Sequence, residues 1–172
     1  CTHPTDELAR IILKDSGKIQ EEDADRANRY AYTKHEKAKP LYTQQDAIRA
    51  MRQVSSHNFN EWVIINRDVK CQLLNSGHIL GSSMVELKVG DERILFSGDI
   101  GRKDPMLLYP PKKVKEVDYL IMESTYGDRT HRIEDPKEAL LEAVQTTIDR
   151  GGILMIPSFA VERTQEILYL LY

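Results

Sequence analysis

The sequence predicts a mixed α/β protein in which helices and strands form separate layers (α+β layering). Helical patterns dominate residues 5–54, where polar and charged side chains alternate with apolar ones at helical spacing. Residues 61–127 are β-rich, and residues 118–156 read as strand, helix and strand. Because both periodicities occur in long blocks, helices and strands are expected to share one core.

Composition and charge are those of a globular protein of one domain's size. Of the 172 residues, 41% are apolar and 30% are charged, which excludes collagen-like, coiled-coil and disordered chains. The net charge of −3 argues against a histone-like nucleic-acid binder. No apolar run reaches membrane-spanning length, so we expect no membrane association. Cys1 and Cys71 are too few for a disulfide framework, and free thiols favour a reducing, cytoplasmic compartment.

Residues 5–54 carry helix signals at both ends of two segments. Thr5 is expected to cap a first helix, which Gly17 is expected to end. Residues 19–35 have few large apolar side chains and suit an exposed helix. Thr43, followed three residues later by Asp46, opens another helix.

The β-rich part contains four candidate strands. The second pair flanks Gly90 and Asp91, a dipeptide typical of tight hairpin turns. The expected strands are Glu61–Arg67, Val69–Leu74, Met84–Val89 and Arg93–Phe96.

The remaining chain alternates strand and helix signals. Tyr119–Met122 is a short apolar run expected to form a buried strand. Asp135 caps a helix that ends at Gly151. Ile153–Ile156 is expected to be another buried strand, with helix again from Val161.

Polar side chains follow the predicted strands where each strand ends. His78, Asp99, Glu123 and Ser158 each come after an apolar run, close to glycine or other small residues. Functional groups of layered α/β proteins collect at such ends, so His78, Asp99 and Glu123 are expected to share a pocket. Imidazole and carboxylate ligands suit Zn²⁺ or Mn²⁺, although these residues alone cannot complete two metal sites.

Each of these residues also has a simpler interpretation. A single histidine after a strand is usually structural, and Asp99 could accept hydrogen bonds within a turn. Glu123 could be an exposed carboxylate paired with Arg129. Ser158 lacks the Gly-x-Ser-x-Gly surroundings of a nucleophile, which favours a strand-end or helix-cap role.

Four motifs in order resemble the metallo-β-lactamase-fold nucleases of the β-CASP group, which include RNase J and the endonuclease that cuts pre-mRNA ends. The resemblance covers nearly the whole chain and implies a partial αββα sandwich, truncated at both ends. The motifs are Gly77–Ser82, Ser97–Arg102, Glu123–Arg129 and Pro157–Gln165.

The resemblance implies specific roles for residues of these motifs. His78 corresponds to a zinc ligand and Asp99 to the aspartate that bridges two zinc ions at the catalytic centre. Glu123 corresponds to an acidic residue that supports this centre. Ser158 and Arg163 lie where the chain enters the cap that clamps the nucleic acid, and both are candidates for binding a substrate phosphate, Arg163 from the first turn of a helix.

The resemblance also implies a division of the chain and a missing part. Residues 1–156 correspond to a partial metallo-β-lactamase domain, and residues 157–172 to the start of the β-CASP cap. The His-x-His-x-Asp-His motif of the family is absent, and the family pattern places it upstream of Cys1. We therefore expect a fragment of a larger protein that is inactive by itself.

The expected activity of the parent protein is zinc-dependent hydrolysis of RNA phosphodiesters. The alternatives are a non-catalytic RNA-binding or scaffold paralogue, and a hydrolase of the same fold that acts on DNA or a small ester. An unrelated α/β binding module with coincidental motifs is a further alternative. A sheet edge exposed by missing strands could pair two copies, so we expect a capacity for homo-oligomers. His131 and Arg132, with Arg129, could contact phosphates, although a solvated loop is the commoner role.

Overall fold

The computed structural model describes residues 1–130 and 135–172, which form four helices and one five-stranded mixed sheet. The predicted α/β class is confirmed. The helices are α1 (His3–Tyr30), α2 (Gln44–Met51), α3 (Pro136–Asp149) and α4 (Arg163–Leu171). The strands are β1 (Val63–Ile64), β2 (Val69–Asn75), β3 (Ser83–Val89), β4 (Glu92–Phe96) and β5 (Tyr119–Ile121).

Helix α1 begins earlier than the sequence predicts. Thr2, not Thr5, is the cap, and its Oγ1 accepts a hydrogen bond from Thr5 N at 3.3 Å. The hydroxyls of Thr2 and Thr5 both donate to Gly81 O, at 2.7 and 2.9 Å. The start of α1 is therefore fixed to the loop between β2 and β3, a long-range contact that local sequence patterns do not contain.

Gly17 does not end α1, so the predicted helix stop is wrong. It is buried inside a helix of 28 residues. A Cβ atom at this position would lie 2.8 Å from Gln44 N and 2.9 Å from the Thr43 carbonyl carbon. Glycine costs a helix interior about 1 kcal/mol relative to alanine, but here it lets α2 begin directly against α1.

The predicted second helix is confirmed, and its connection to α1 is tightly held. Thr43 caps α2, and Asp46 completes a reciprocal capping box. Asn28 on α1 accepts a hydrogen bond from Ala38 N at 2.8 Å and donates one to Ala38 O at 2.9 Å. Helices α1 and α2 and the segment between them thus form one packed hairpin.

The five strands follow the order β1-β2-β3-β4-β5, which is also their order in the sequence. The pairs β1–β2, β2–β3 and β3–β4 are antiparallel, and β4–β5 is parallel. The predicted hairpin is confirmed, since Val89 pairs with Glu92 and Gly90 has φ of +61° in the turn. The strand expected over Glu61–Arg67 is reduced to the two residues of β1.

A small core lies on one face of the sheet. Leu74, Met84 and Leu95 are buried there, and Val114 and Val117 pack against them. The chain after β4 therefore crosses this face before it returns as β5.

An ion pair with a buried carboxylate lies on the same face of the sheet, between β3 and β4. The Glu86 side chain is 1% exposed and pairs with Arg93, with 2.6 Å between Oε1 and Nη2. Gln72 on β2 donates to Glu86 Oε2 at 2.8 Å, and Arg93 Nη1 donates to Glu116 O at 2.8 Å. The pair thus connects three strands to the segment that covers the core.

Two apolar segments are exposed where the sequence predicts burial. The expected strand over Tyr119–Met122 is confirmed as β5 over its first three residues. The side chains of Tyr119–Met122 are about half exposed, because β4 is the only described strand that pairs with β5. Ile153–Ile156 follows α3 and forms no strand, and Ile153 is 91% exposed. The expected strand–helix–strand unit over 118–156 therefore has only its first strand and its helix.

The caps of the last two helices differ in kind. Asp135 accepts a hydrogen bond from Lys137 N at 2.8 Å, so the predicted start of α3 is confirmed. Helix α4 follows Glu162, whose side chain makes no cap hydrogen bond. Among the described residues, no helix has the length and apolar character needed to cross a membrane.

Candidate functional site

His78 and Asp99 face each other at the end of the sheet where β2 and β4 stop. Their Nε2 and Oδ2 atoms are 3.7 Å apart, and the side chains are 45% and 73% exposed. This separation is too long for a hydrogen bond. Two donors bound to one tetrahedral zinc ion at about 2.1 Å lie about 3.4 Å apart, so the pair is close to the spacing of two metal ligands.

Two glycines allow the loops that carry His78 and Asp99 to touch. Gly101 N donates to Ser76 O at 2.9 Å. A Cβ atom on Gly101 would lie 1.7 Å from Gly77 O, a distance that no side chain could occupy. The His78 and Asp99 loops are therefore in direct backbone contact, and this contact requires glycine at position 101.

The loop that carries His78 is organised around the hydroxyl of Ser82. Its Oγ accepts hydrogen bonds from His78 N at 3.2 Å and Ile79 N at 3.0 Å, and it donates to Ile79 O at 2.8 Å. Ser76, which is fully buried, donates its own hydroxyl to Ser82 Oγ at 2.8 Å. The backbone N–H groups of His78 and Ile79 thus share one hydrogen-bond acceptor, the hydroxyl of Ser82.

Glu123 holds the Asp99 loop from the end of β5. Its Oε1 accepts a hydrogen bond from Ile100 N at 2.7 Å, and its own N–H donates to Ser97 Oγ at 3.0 Å. The hydrogen bond from Ile100 N is the main cause that lowers the pKa of Glu123, with smaller contributions from Thr125 and from the His78 charge. Glu123 is therefore an ionised group that binds the backbone next to Asp99.

In the segment 157–165, Glu162 is the residue whose pKa is affected by His78. Burial and the nearby Glu166 raise the pKa of Glu162, whereas the charges of His78 and Arg163 lower it. Arg163 Nη1 pairs with Glu166 at 2.9 Å, so its guanidinium is already engaged. Ser158 Oγ is exposed and donates to Ile156 O at 3.4 Å, as in a local turn. Neither side chain makes a hydrogen bond to the other three predicted site residues.

The structure brings His78, Asp99 and Glu123 to one end of the sheet. Imidazole and carboxylate form a chemically suitable pair of zinc ligands, and both side chains are accessible. Among the described residues, no group of three His, Cys, Asp or Glu side chains could by itself hold a metal ion. These residues thus fit part of a metal centre. His131 and Arg132 lie outside the described residues.

Sequence reasoning did not assign roles to the small residues that build this site. Ser76 and Ser97 are buried at the ends of β2 and β4, and each binds the loop that follows. Ser82 and Gly101 complete the contact between the two loops. The available signal was a serine followed by glycine at the ends of β2 and β4, Ser76–Gly77 and Ser97–Gly98. A serine that follows a buried strand needs a hydrogen-bond partner for its hydroxyl.

Comparisons with known proteins find relatives that align with nearly the whole chain. The chain is 33% identical over 175 residues to the RNase J-like protein of Methanocaldococcus jannaschii, covering 99% of this chain and 37% of that protein. It is 31% identical over 172 residues to the endoribonuclease YSH1 of Eremothecium gossypii, covering 99% and 21%. It is 32% identical over 176 residues to the transcription termination factor FttA of Pyrococcus horikoshii, covering 99% and 25%. No family model matches the chain.

The chain spans little more than a third, or less, of the length of these relatives. The alignments nevertheless cover nearly all of it, with the four motifs included. All three relatives are proteins of the β-CASP group. By sequence, this chain is therefore similar over nearly its whole length to one part of β-CASP proteins of the metallo-β-lactamase fold.

Proposed function

We propose that the protein containing this chain hydrolyses phosphodiester bonds of RNA in a metal-dependent reaction. The convergence of His78, Asp99 and Glu123 at one end of the sheet carries the proposal. The names of the relatives, an RNase J-like protein and an endoribonuclease, support RNA as the substrate.

The site residues would have different roles. His78 and Asp99 would hold metal, with two zinc ions expected in the complete centre. Bound zinc supplies Lewis acidity toward a phosphoryl oxygen and lowers the pKa of water. Glu123 keeps Asp99 in place through Ile100 N, since a carboxylate that accepts a backbone N–H fixes the conformation of its loop. Arg163 would bind a substrate phosphate only after release from Glu166.

The proposal also assigns a role to each part of the chain and a location to the protein. Residues 1–156 would contribute to the metal-binding domain, and residues 157–172 would begin a cap that clamps the RNA strand. Other ligands of the centre would come from parts of the protein outside this chain, and the isolated chain would be inactive. The free thiols of Cys1 and Cys71 favour a cytoplasmic location.

The test uses the full gene product that contains this chain, with labelled RNA and DNA of the same sequence as competing substrates. Asp99→Ala is expected to lower RNA hydrolysis at least about a hundredfold, because a metal-holding carboxylate is lost. The fold should survive, since Asp99 is exposed. Asp91→Ala, in the hairpin turn at the other end of the sheet, is the matched control and should keep full activity.

Three results would replace the proposal. Full activity of Asp99→Ala would remove Asp99 from the site. RNA binding without hydrolysis or zinc uptake in the wild-type protein would favour a non-catalytic scaffold. This is the second candidate, because no group of three metal-ligating side chains occurs among residues 1–130 and 135–172. Preference for DNA or for a small ester would keep the fold and change the substrate.

A further inference from the structure

We infer that Ser82 is a positioning residue for His78, and that its hydroxyl sets the direction from which His78 reaches metal. The inference rests on the proposed function, because it concerns how the same site is assembled. Ser82 makes no contact with substrate or metal in this assignment. It acts through the backbone of the residues around His78.

The hydroxyl of Ser82 binds both peptide groups that follow Gly77. His78 N and Ile79 N donate to it at 3.2 and 3.0 Å, and it donates to Ile79 O at 2.8 Å. Three hydrogen bonds from one atom restrict the backbone dihedral angles of His78 and Ile79. Since the imidazole is 45% exposed and lies 3.7 Å from Asp99, beyond hydrogen-bond distance, its direction depends on that backbone.

Ser76 joins this hydroxyl to the rigid part of the sheet. Its own hydroxyl is fully buried and donates to Ser82 Oγ at 2.8 Å. Ser76 N donates to Ser82 O at 3.2 Å, and Ser76 O accepts from Gly101 N in the Asp99 loop. Ser76 and Ser82 thus hold the His78 loop against the Asp99 loop, and the 3.7 Å separation of the two candidate ligands depends on both.

A matched control stands one residue along the chain. Ser83 begins β3 and pairs with Asn75, and its side chain makes no hydrogen bond in the described structure. Ser82→Ala and Ser83→Ala each remove one serine hydroxyl, at adjacent positions in the chain. Only the first change leaves His78 N and Ile79 N without a partner.

The experiment compares wild type, Ser82→Ala, Ser83→Ala and His78→Ala in the full gene product. Zinc affinity is measured by competition with a chromophoric chelator, and amide hydrogen exchange of His78 and Ile79 is measured in metal-free protein. We expect Ser82→Ala to weaken zinc binding about tenfold or more, as loss of an outer-shell partner does, and to speed exchange at both amides. Ser83→Ala should match wild type in both measurements.

The outcomes separate this inference from the proposed function. If His78→Ala binds zinc as tightly as wild type, the proposed metal site itself is wrong. If His78→Ala loses affinity while Ser82→Ala behaves like Ser83→Ala, only the role of Ser82 is refuted. Should Ser82→Ala fail to fold, Ser76→Ala, which removes the donor that anchors Ser82 Oγ to the end of β2, tests whether this anchoring of the His78 loop controls zinc affinity. Unchanged zinc affinity in that variant would count against the inference.

Discussion

At the scale of single residues, the candidate site depends on a glycine that has no side chain as much as on the side chains of His78 and Asp99. Gly101 has no Cβ atom, and the space that this atom would take is filled by the Gly77 peptide. The contact between the two loops is thus made mainly by backbone atoms, and buried serine hydroxyls form hydrogen bonds with the loops. Such a site brings two loops together without a large apolar cluster beneath them.

Gly101→Ala is expected to separate the two loops. A new Cβ at 1.7 Å from Gly77 O forces the backbone to move, and overpacking of this kind costs typically about 1–3 kcal/mol. Zinc affinity should fall together with the free energy of unfolding. Chemical denaturation and zinc titration measure the two effects. Gly152→Ala, where the nearest atom would be 3.4 Å away, is the control. Unchanged zinc binding in Gly101→Ala would show that the loops do not need this contact.

At the scale of elements, local hydrogen bonds decide where helices start, and long-range contacts decide how they pack. The capping box of α2 and the cap of α3 use side chains within three residues of the backbone groups that they satisfy. By contrast, the position of α2 against α1 depends on Gly17, which lies 26 residues or more before the residues it touches.

The capping box of α2 predicts a pH dependence at Asp46. Hydrogen bonds from Thr43 and the neighbouring Arg49 lower the pKa of Asp46 from 3.8 to about 2. Because the pKa is lower in the folded state, ionised Asp46 stabilises the fold above about pH 4, and this contribution disappears as pH falls through about 2. NMR titration of the side-chain carboxyl measures the value.

Removal of the largest cause tests this explanation. Thr43→Ala deletes the hydroxyl that donates to Asp46 and should raise its pKa toward 3.8. Thr146→Ala, the same change on the exposed surface of α3, should leave the pKa of Asp46 where it is. Equal titration curves for the two variants would mean that the hydroxyl is not responsible.

At the scale of the whole molecule, the described residues form three groups, namely the α1–α2 hairpin, the sheet, and the α3–α4 pair, which has no buried residue in either helix. Thr2 and Thr5 join the hairpin to the loop after β2. Apolar side chains of β5 and of Ile153–Ile156 are left open to water. Edge strands with exposed apolar side chains pair readily with other chains.

The isolated chain is therefore expected to self-associate in a concentration-dependent way. Met122 and Met155 are 60% and 83% exposed in the two open apolar segments. The double variant Met122→Lys and Met155→Lys should remain monomeric at concentrations where the wild-type chain associates, since like charges at an edge oppose pairing. Sedimentation velocity at several concentrations measures the difference.

A control distinguishes association through β5 and Ile153–Ile156 from nonspecific association through any exposed apolar side chain. Leu41 is 93% exposed on the segment between α1 and α2, far from β5 in the chain. Leu41→Lys should leave association unchanged. If it suppresses association as strongly as the double variant, the open edge is not the contact surface. A wild-type chain that stays monomeric throughout would refute the expectation of homo-oligomers for this chain.

Much of the protein could be inferred from sequence patterns alone. The α/β class, the β3–β4 hairpin and the caps Thr43 and Asp135 were all predicted, because each depends on residues within a few positions of one another. The grouping of His78, Asp99 and Glu123 at one end of the sheet was also expected, since each follows a strand. Their chemical roles remain predictions that the proposed experiments address.

Only the tertiary structure decided the features that depend on distant parts of the chain. Thr2 caps α1 where its hydroxyl also reaches Gly81, and Gly17 serves contact with α2. The apolar patterns of Tyr119–Met122 and Ile153–Ile156 correctly indicate surfaces that favour burial, but burial needs a partner, and none of the described residues supplies one. Local sequence encodes local hydrogen bonds and apolar periodicity, whereas close approach and burial depend on which segments meet in space.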